Sequence, residues 1–326
     1  MTYGRLIARI WGGMSDLLNF IDDTCNHPKQ RKASQEMPEP AQPKALTYPI
    51  GDLELPYLIY DGGDPTVILQ HATGFLPWLW HPIARQLSGA HTVVAPYFCD
   101  HRPPNLDKGG QSWAKLAEDL QHLIKGLHIK TPVMAGHSMG ATVMTLTEAL
   151  YGPLAAGLVL IEPIFYPRDY YTLSARLEDH PLASRSLRRR RRWQDRQDAR
   201  AYLKTKALFA NWDEEMLDLY LDHGMVEKET GSGLELTCAP EEEAAIFLGS
   251  MLRDPWPLLK QITCPVLVLE GERSQNRTLI DLQKAAANLS KGTYRLIKDA
   301  GHLIPMEKPQ EIIGIIKEFM ATLAKS

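Results

Sequence analysis

The pattern of apolar and polar positions divides the 326-residue chain into segments of different character. From Leu46 onward, short apolar runs of strand length alternate with stretches of helical periodicity. This alternation predicts a mostly parallel sheet covered by helices on both faces, and therefore an α/β fold. We expect strands at 53–60, 66–70, 92–95, 132–135, 157–161, 265–269 and 294–297, and helices at 113–127, 141–150, 279–289 and 310–324.

The alternation stops between Pro163 and about Pro257, where the chain is charged and helical in character. We interpret this stretch as a helical cap inserted over the sheet. The predicted organisation is an N-terminal helix and linker at 1–45, a core formed by 46–162 and 258–326, and a cap at 163–257.

The N-terminal segment carries apolar residues at helical spacing between Leu6 and Ile21, followed by a polar linker with several prolines. Its apolar stripe can be covered by the body of the protein, by a second copy in a homo-oligomer, or by a membrane surface. The polar face has few basic residues, so membrane binding is the least favoured of the three.

Composition narrows the function classes. The formal net charge of −3 creates no field that would attract nucleic acid. No apolar run approaches the roughly 20 residues that span a bilayer, and the first residues lack the continuous apolar block of a secretory signal. Cys25, Cys99, Cys238 and Cys264 are scattered without a CxxC pair, which predicts reduced thiols and a cytoplasmic location.

The candidate nucleophile is Ser138, in the turn Gly136-His137-Ser138-Met139-Gly140. A strand pattern precedes this turn and a helix pattern follows it, which is the setting of a nucleophile elbow rather than of an ordinary tight turn. Small neighbours allow the strained turn to close against the strand and the helix. The backbone N–H of Met139, at the helix start, is aimed at the developing oxyanion. We interpret His137 as a packing residue.

Two histidines lie in loops directly after predicted core strands. His302 follows the last strand, where an imidazole can reach the elbow, so we expect it to be the base that Ser138 needs. His71 opens a loop of small residues after the strand at 66–70 and is expected to hold that loop in place. Thr73 is the predicted second oxyanion donor, with Gly74 as the alternative.

Together these motifs resemble the α/β-hydrolase superfamily, and in particular its cap-bearing serine hydrolases and esterases. The resemblance covers about Leu46 to Ala324 and implies Ser–His–acid catalysis without a cofactor or a metal. The loop after the fourth strand departs from the usual pattern, because it reads Pro96-Tyr97-Phe98-Cys99-Asp100-His101-Arg102. The segments that carry the resemblance are 71–75, 136–140, 158–163, 264–271 and 300–302.

The acid is displaced from its usual place in such relatives. Ser274 stands at the expected position, and a hydroxyl cannot stabilise an imidazolium by charge. Glu162, at the end of the strand at 157–161, is our preferred acid because some members of the superfamily take theirs from that strand end. Glu272 is the second candidate, and a Ser–His dyad or an impaired enzyme is the third.

The predicted function is hydrolysis of a small-molecule carboxylic ester or related acyl bond through an acyl-enzyme. The alternatives are a non-catalytic binding or scaffold protein that keeps the fold, and a carbon–carbon bond hydrolase with the same serine. The run Arg188 to Arg192 is interpreted as a solvated helix face rather than an anion site, with Glu241 to Glu243 as potential ion-pair partners.

Overall fold

An eight-stranded sheet forms the centre of the computed structural model, which describes residues 41–173, 176–227 and 233–325. Its strands are β1 Lys44–Ile50, β2 Leu53–Tyr60, β3 Val67–Gln70, β4 Val93–Pro96, β5 Val133–His137, β6 Gly157–Ile161, β10 Val266–Gly271 and β11 Gly292–Ile297. The strand order in this sheet is β1-β2-β4-β3-β5-β6-β10-β11. The β1–β2 and β2–β4 pairs are antiparallel, and all other pairs in this sheet are parallel.

The α-helices lie on both faces of this sheet and in the segment between β6 and β10. The described helices are α1 His81–Leu87, α2 Trp113–Gly126, α3 Met139–Tyr151, α4 Pro181–Arg188, α5 Arg196–Lys204, α6 Glu214–His223, α7 Pro240–Leu248, α8 Leu282–Asn288, α9 Ile304–Glu307 and α10 Pro309–Leu323.

Two apolar cores flank the sheet because successive side chains of a strand point to opposite faces. In β5, Met134 packs with α2, α3 and α8 on one face, whereas Val133 and Ala135 pack with α1 and α10 on the other. Every residue of β3, β4, β5, β6 and β10 is buried, which explains why these strands read as continuous apolar runs. The prediction of a mostly parallel α/β fold is confirmed.

The segment at 163–257, which we call the insert, lies between β6 and β10 in the chain. It contains α4 to α7 and a small antiparallel sheet with the order β7-β9-β8. The sheet was not predicted, since its strands are too short to produce a periodic pattern. They are β7 Arg192–Trp193, β8 Met225–Glu227 and β9 Leu234–Leu236.

Strand β1 was also absent from the predicted strands. Its residues Lys44 to Tyr48 are mostly exposed at the sheet edge, so it lacks the buried alternation that marks a strand. The predicted N-terminal helix lies outside the described residues, so what covers its apolar stripe stays a prediction.

A disulfide joins Cys99, in the loop after β4, to Cys238, just before α7. The prediction of reduced thiols is therefore wrong for this pair. The fold brings the two Cα atoms to 5.8 Å across 139 residues of sequence, and a local sequence pattern carries no sign of such a pairing. Cys264 is a free, buried thiol, and Cys25 lies outside the described residues.

Within the described ranges, no helix is both long enough and apolar enough to cross a membrane.

Candidate active site

Ser138 sits in the sharp turn between β5 and α3, with φ +54° and ψ −117°. This positive φ is strained for a residue with a side chain. The flanking glycines make the turn possible. A Cβ on Gly136 would lie 2.7 Å from the backbone nitrogen of Ala141, and one on Gly140 would lie 2.4 Å from the carbonyl oxygen of Gln70. The requirement for small neighbours is therefore a direct consequence of backbone contact.

His302, in the loop between β11 and α9, contacts both of its predicted partners. Its Nε2 lies 3.1 Å from the Ser138 hydroxyl oxygen, and its Nδ1 lies 2.9 Å from Glu162 Oε2. With the proton on Nδ1, the ring donates to the carboxylate and accepts from the serine hydroxyl. The structure thus joins three side chains that the sequence analysis selected separately.

Glu162 follows the last residue of β6 and has a φ of +51°. Its carboxylate is buried and accepts two further hydrogen bonds, from the backbone N–H of Gly271 and from the hydroxyl of Ser274, both at 2.7 Å. Ser274, which stands at the usual position of the acid, therefore hydrogen-bonds the carboxylate of the candidate acid. Its hydroxyl fixes the same carboxylate oxygen, Oε2, that faces His302.

Glu272, the second candidate acid, is exposed and accepts a hydrogen bond from the backbone N–H of Asp299 at 3.0 Å. Among the described residues, the carboxylate hydrogen-bonded to the His302 ring is Glu162. The sequence analysis missed Asn276, whose amide nitrogen is placed 3.0 Å from His302 Nδ1. Because the two ends of an amide can be exchanged by a flip, its oxygen can face a proton on Nδ1.

The two candidate oxyanion donors belong to different elements. Met139 is the first residue of α3, where a backbone N–H has no intrahelical acceptor. Thr73 is buried in the loop after β3. In the sheet register Gln70 lies opposite Gly136, so this loop starts level with the nucleophile turn.

Two further histidines hold the loops of the site. His71 donates through Nδ1 to the Ala72 carbonyl at 2.8 Å, and its Nε2 accepts from the Phe98 backbone N–H at 2.9 Å. Burial lowers the pKa of His71 to about 4, which keeps it neutral. His137 Nε2 donates to the His302 carbonyl at 2.9 Å. Burial, together with the charge of His302, lowers the pKa of His137 well below its ordinary value.

One group in the described ranges has the donor set of a metal site: Cys99, Cys238 and Glu242, with ligand atoms within 4.8 Å of one another. The two sulfurs are joined in the disulfide, so they do not offer thiolates. Burial, and then the charge of Asp100, raises the pKa of Glu242 to about 7. The group therefore does not fit a resident metal in this state.

The arginine run of the insert is largely paired. Arg189, Arg190, Arg191 and Arg192 contact Glu243, Asp198, Glu241 and Glu235 respectively. Each guanidinium in this set therefore links separate parts of the insert, and the pairing expected for Glu241 and Glu243 is present. These contacts support neither a wholly solvated face nor an open anion site.

A nucleophile turn at the end of a central parallel strand, facing a histidine after the last strand, is the arrangement of hydrolases built on an α/β sheet. A model of the alpha/beta hydrolase family matches residues 66–315. The chain belongs to the alpha/beta hydrolase family.

Individual relatives are distant. Abhydrolase domain-containing protein AFT2-1 of Alternaria alternata is 27% identical over 222 residues, covering 58% of this chain and 82% of the relative. A 2-(acetamidomethylene)succinate hydrolase of Mesorhizobium japonicum is 22% identical, covering 79% and 89% of the two chains.

Solved structures show the same fold. E-2-(acetamidomethylene)succinate hydrolase aligns with a TM-score of 0.72 at 20% identity, covering 86% of this chain and all of the other. An esterase from Thermogutta terrifontis aligns with a TM-score of 0.62 at 22% identity, covering 87% and 99%. At these identities the likeness concerns the fold, whereas the family indicates a hydrolase.

Proposed function

We propose that this protein is a serine hydrolase that cleaves a carboxylic ester or related acyl bond through an acyl-enzyme intermediate. The observation that carries the proposal is the hydrogen-bonded series Ser138–His302–Glu162, with distances of 3.1 and 2.9 Å. An alcohol, an imidazole and a buried carboxylate in this order are the components of nucleophilic acyl transfer.

In the proposed reaction, His302 removes the hydroxyl proton while Ser138 attacks the acyl carbon. The tetrahedral oxyanion is held by the backbone N–H groups of Met139 and Thr73. His302 then returns its proton to the leaving alcohol, and a water molecule releases the acid by the same steps in reverse. Throughout, Glu162 holds the His302 tautomer and stabilises the imidazolium.

We further propose that the insert acts as a cap that selects a small-molecule substrate, and that Glu162 takes the place of the acid lost at position 274. If Glu162 supplies the acid, the serine at position 274 is no argument for a non-catalytic scaffold. Cytoplasmic location remains a proposal without its original support, because it rested on reduced cysteines and the structure contains a disulfide. A carbon–carbon hydrolase would use the same serine and histidine, so substrate assays must separate the two reactions.

A fluorophosphonate probe combined with peptide mass mapping tests the nucleophile. We expect labelling at Ser138 in the folded wild type and none there in S138A, together with a loss of turnover of at least about 10⁴-fold on the substrate found. A panel of p-nitrophenyl esters and acyl thioesters is assayed beside a vinylogous diketone, which a carbon–carbon hydrolase would cleave next to a carbonyl group. The substrates that turn over identify the kind of bond that the protein cleaves. Folded wild-type protein that neither labels nor turns over any ester would contradict the proposal.

A further inference from the structure

A carboxylate of the insert lies directly against the oxyanion loop, which we define as residues 71–75. Glu243, on α7, is buried, and its Oε1 would be 2.2 Å from a Cβ on Gly74. Its Cδ would be 2.8 Å from the same point. Gly74 has a φ of +75°, so the loop turns here in a conformation that a glycine tolerates. The carboxylate therefore fills the space that the missing side chain leaves.

The other oxygen of this carboxylate is held by an arginine. Arg189 Nη1 donates to Glu243 Oε2 at 2.7 Å, and its Nη2 donates to the Tyr220 hydroxyl at 2.9 Å. Only 25% of the Arg189 side chain and 10% of the Glu243 side chain are exposed. Burial alone would lower the pKa of the guanidinium, but Tyr220 and Glu243 together raise it above its ordinary value. The pair is thus a buried, charge-neutral contact between α7 and the residue that follows α4, and Tyr220 of α6 also binds the guanidinium.

The position of this pair creates an electrostatic requirement. The residue directly before Gly74 in this loop is Thr73, which we propose as an oxyanion donor. An unpaired carboxylate beside that donor would repel the negative charge that develops in the transition state, and the repulsion is strong where water is largely excluded. A carboxylate can therefore shape this loop without opposing the oxyanion only if a neighbouring cation balances its negative charge.

We propose that Arg189 and Glu243 are positioning residues of the proposed hydrolase: Glu243 braces the oxyanion loop at Gly74, and Arg189 cancels its charge. This inference rests on the proposed function. It assigns the insert a part in transition-state stabilisation in addition to covering the substrate. The nearby disulfide at Cys238 fixes the chain before α7 to the core loop at Cys99, which limits how far this helix can move from Gly74.

The test compares R189M, E243Q and the double variant R189M/E243Q by kcat and KM on a p-nitrophenyl ester that the wild type hydrolyses. We expect R189M to lower kcat about 30-fold with a smaller change in KM, because it leaves a bare carboxylate beside the developing oxyanion. E243Q keeps the shape without the charge, so it should lower kcat by only a few-fold, roughly the effect of weakening one hydrogen bond. The double variant should recover to about the kcat of E243Q, because no bare carboxylate then remains beside the oxyanion loop.

R191M is the matched control, since Arg191 belongs to the same run but pairs with the exposed Glu241 at 3.3 Å. It should retain the wild-type kcat. A double variant as impaired as R189M, or an R189M no worse than R191M, would overturn the inference. If R189M alone does not fold, the double variant still decides, because a kcat far below that of E243Q contradicts the proposed cancellation of charge.

Failure of the proposed function gives a different result. In that case the wild type itself shows no ester turnover and no fluorophosphonate label at Ser138. An active, labelled wild type whose variants do not follow the expected order refutes the role of the pair alone.

Discussion

Among the residues that the structure describes, two histidine–carboxylate pairs lie in the core, and only the pair at His302 also contacts a serine hydroxyl. His302 and Glu162 are 2.9 Å apart, and His101 and Asp119 are 3.1 Å apart. The His302 side chain is 28% exposed and its second nitrogen meets Ser138. The His101 side chain is only 2% exposed, and within the described residues its Nδ1 has no hydrogen-bond partner.

The carboxylates differ in what balances their charge. Asp119 accepts two hydrogen bonds of 2.6 Å from Arg102, so a permanent cation already pairs with it. Burial would raise the pKa of Asp119, but the hydrogen bonds from Arg102 and His101 hold it below its ordinary value.

Among the described residues, the donors to Glu162 other than His302 are neutral, namely a backbone N–H and the Ser274 hydroxyl. In the proposed reaction, the charge of Glu162 is therefore available to the imidazolium that forms on His302. The comparison shows that contact between a histidine and a carboxylate does not define a catalytic pair. Whether such a pair can act in catalysis depends on the groups that surround the histidine and the carboxylate.

Replacing Glu162 by Gln should have the largest effect. The amide keeps the volume but cannot stabilise the imidazolium, and the comparable acid-to-amide change in the triad of trypsin costs about 10⁴-fold in kcat, so we expect a loss of about 10³- to 10⁴-fold. Steady-state kinetics on an ester that the wild type hydrolyses measure this loss, with thermal melting as a check of folding. An unchanged kcat in E162Q combined with a large loss in E272Q would move the acid to Glu272.

Replacing Asp119 by Asn should act on stability instead. It leaves the partly buried Arg102 without its anion, and breaking a buried ion pair of this kind costs about 3 kcal/mol or more. Urea unfolding should show this loss, while kcat per folded molecule stays within about threefold of the wild type, because Asp119 does not contact the reacting groups. A loss of kcat as deep as in E162Q would erase the distinction drawn between the two pairs.

Replacing Ser274 by Ala should cost the least free energy of the three substitutions. It removes one hydrogen bond to a charged group, worth about 1.5 kcal/mol, so kcat should fall roughly tenfold with little change in KM. The matched control is S184A, since the Ser184 hydroxyl bonds within the insert: it donates to the Pro181 carbonyl at 3.2 Å and accepts from Arg188 Nη2 at 3.4 Å. If S274A matches S184A, the hydroxyl does not help to hold Glu162.

Much of the site could be predicted because its residues end strands of a sheet that the apolar pattern reveals. Ser138, Glu162 and His302 follow β5, β6 and β11, and the carboxyl ends of parallel strands meet at one edge. The Gly136 to Gly140 turn added the chemical identity of the nucleophile. Local sequence was sufficient where the backbone determines the position of a side chain.

The remaining features depend on contacts between segments that no periodicity connects. The Ser274 hydroxyl reaches Glu162 across 112 residues, and the disulfide of Cys99 closes across 139. The contact of Glu243 with Gly74 likewise requires the insert to be folded onto the core. Side-chain reach and the docking of separate elements fix such pairs, and neither can be seen in a single sequence.

The pairing of β6 with β10 affects when the site is completed during synthesis of the chain. These neighbours in the sheet are separated along the chain by the whole insert, and Ser138 precedes His302 by 164 residues. At synthesis rates of about 5–20 residues per second, the serine exists for several seconds or more before its proposed base is made. In the proposed mechanism, a nascent or truncated chain would thus carry an inert serine, and turnover would begin only after the last strand and its histidine had joined the sheet.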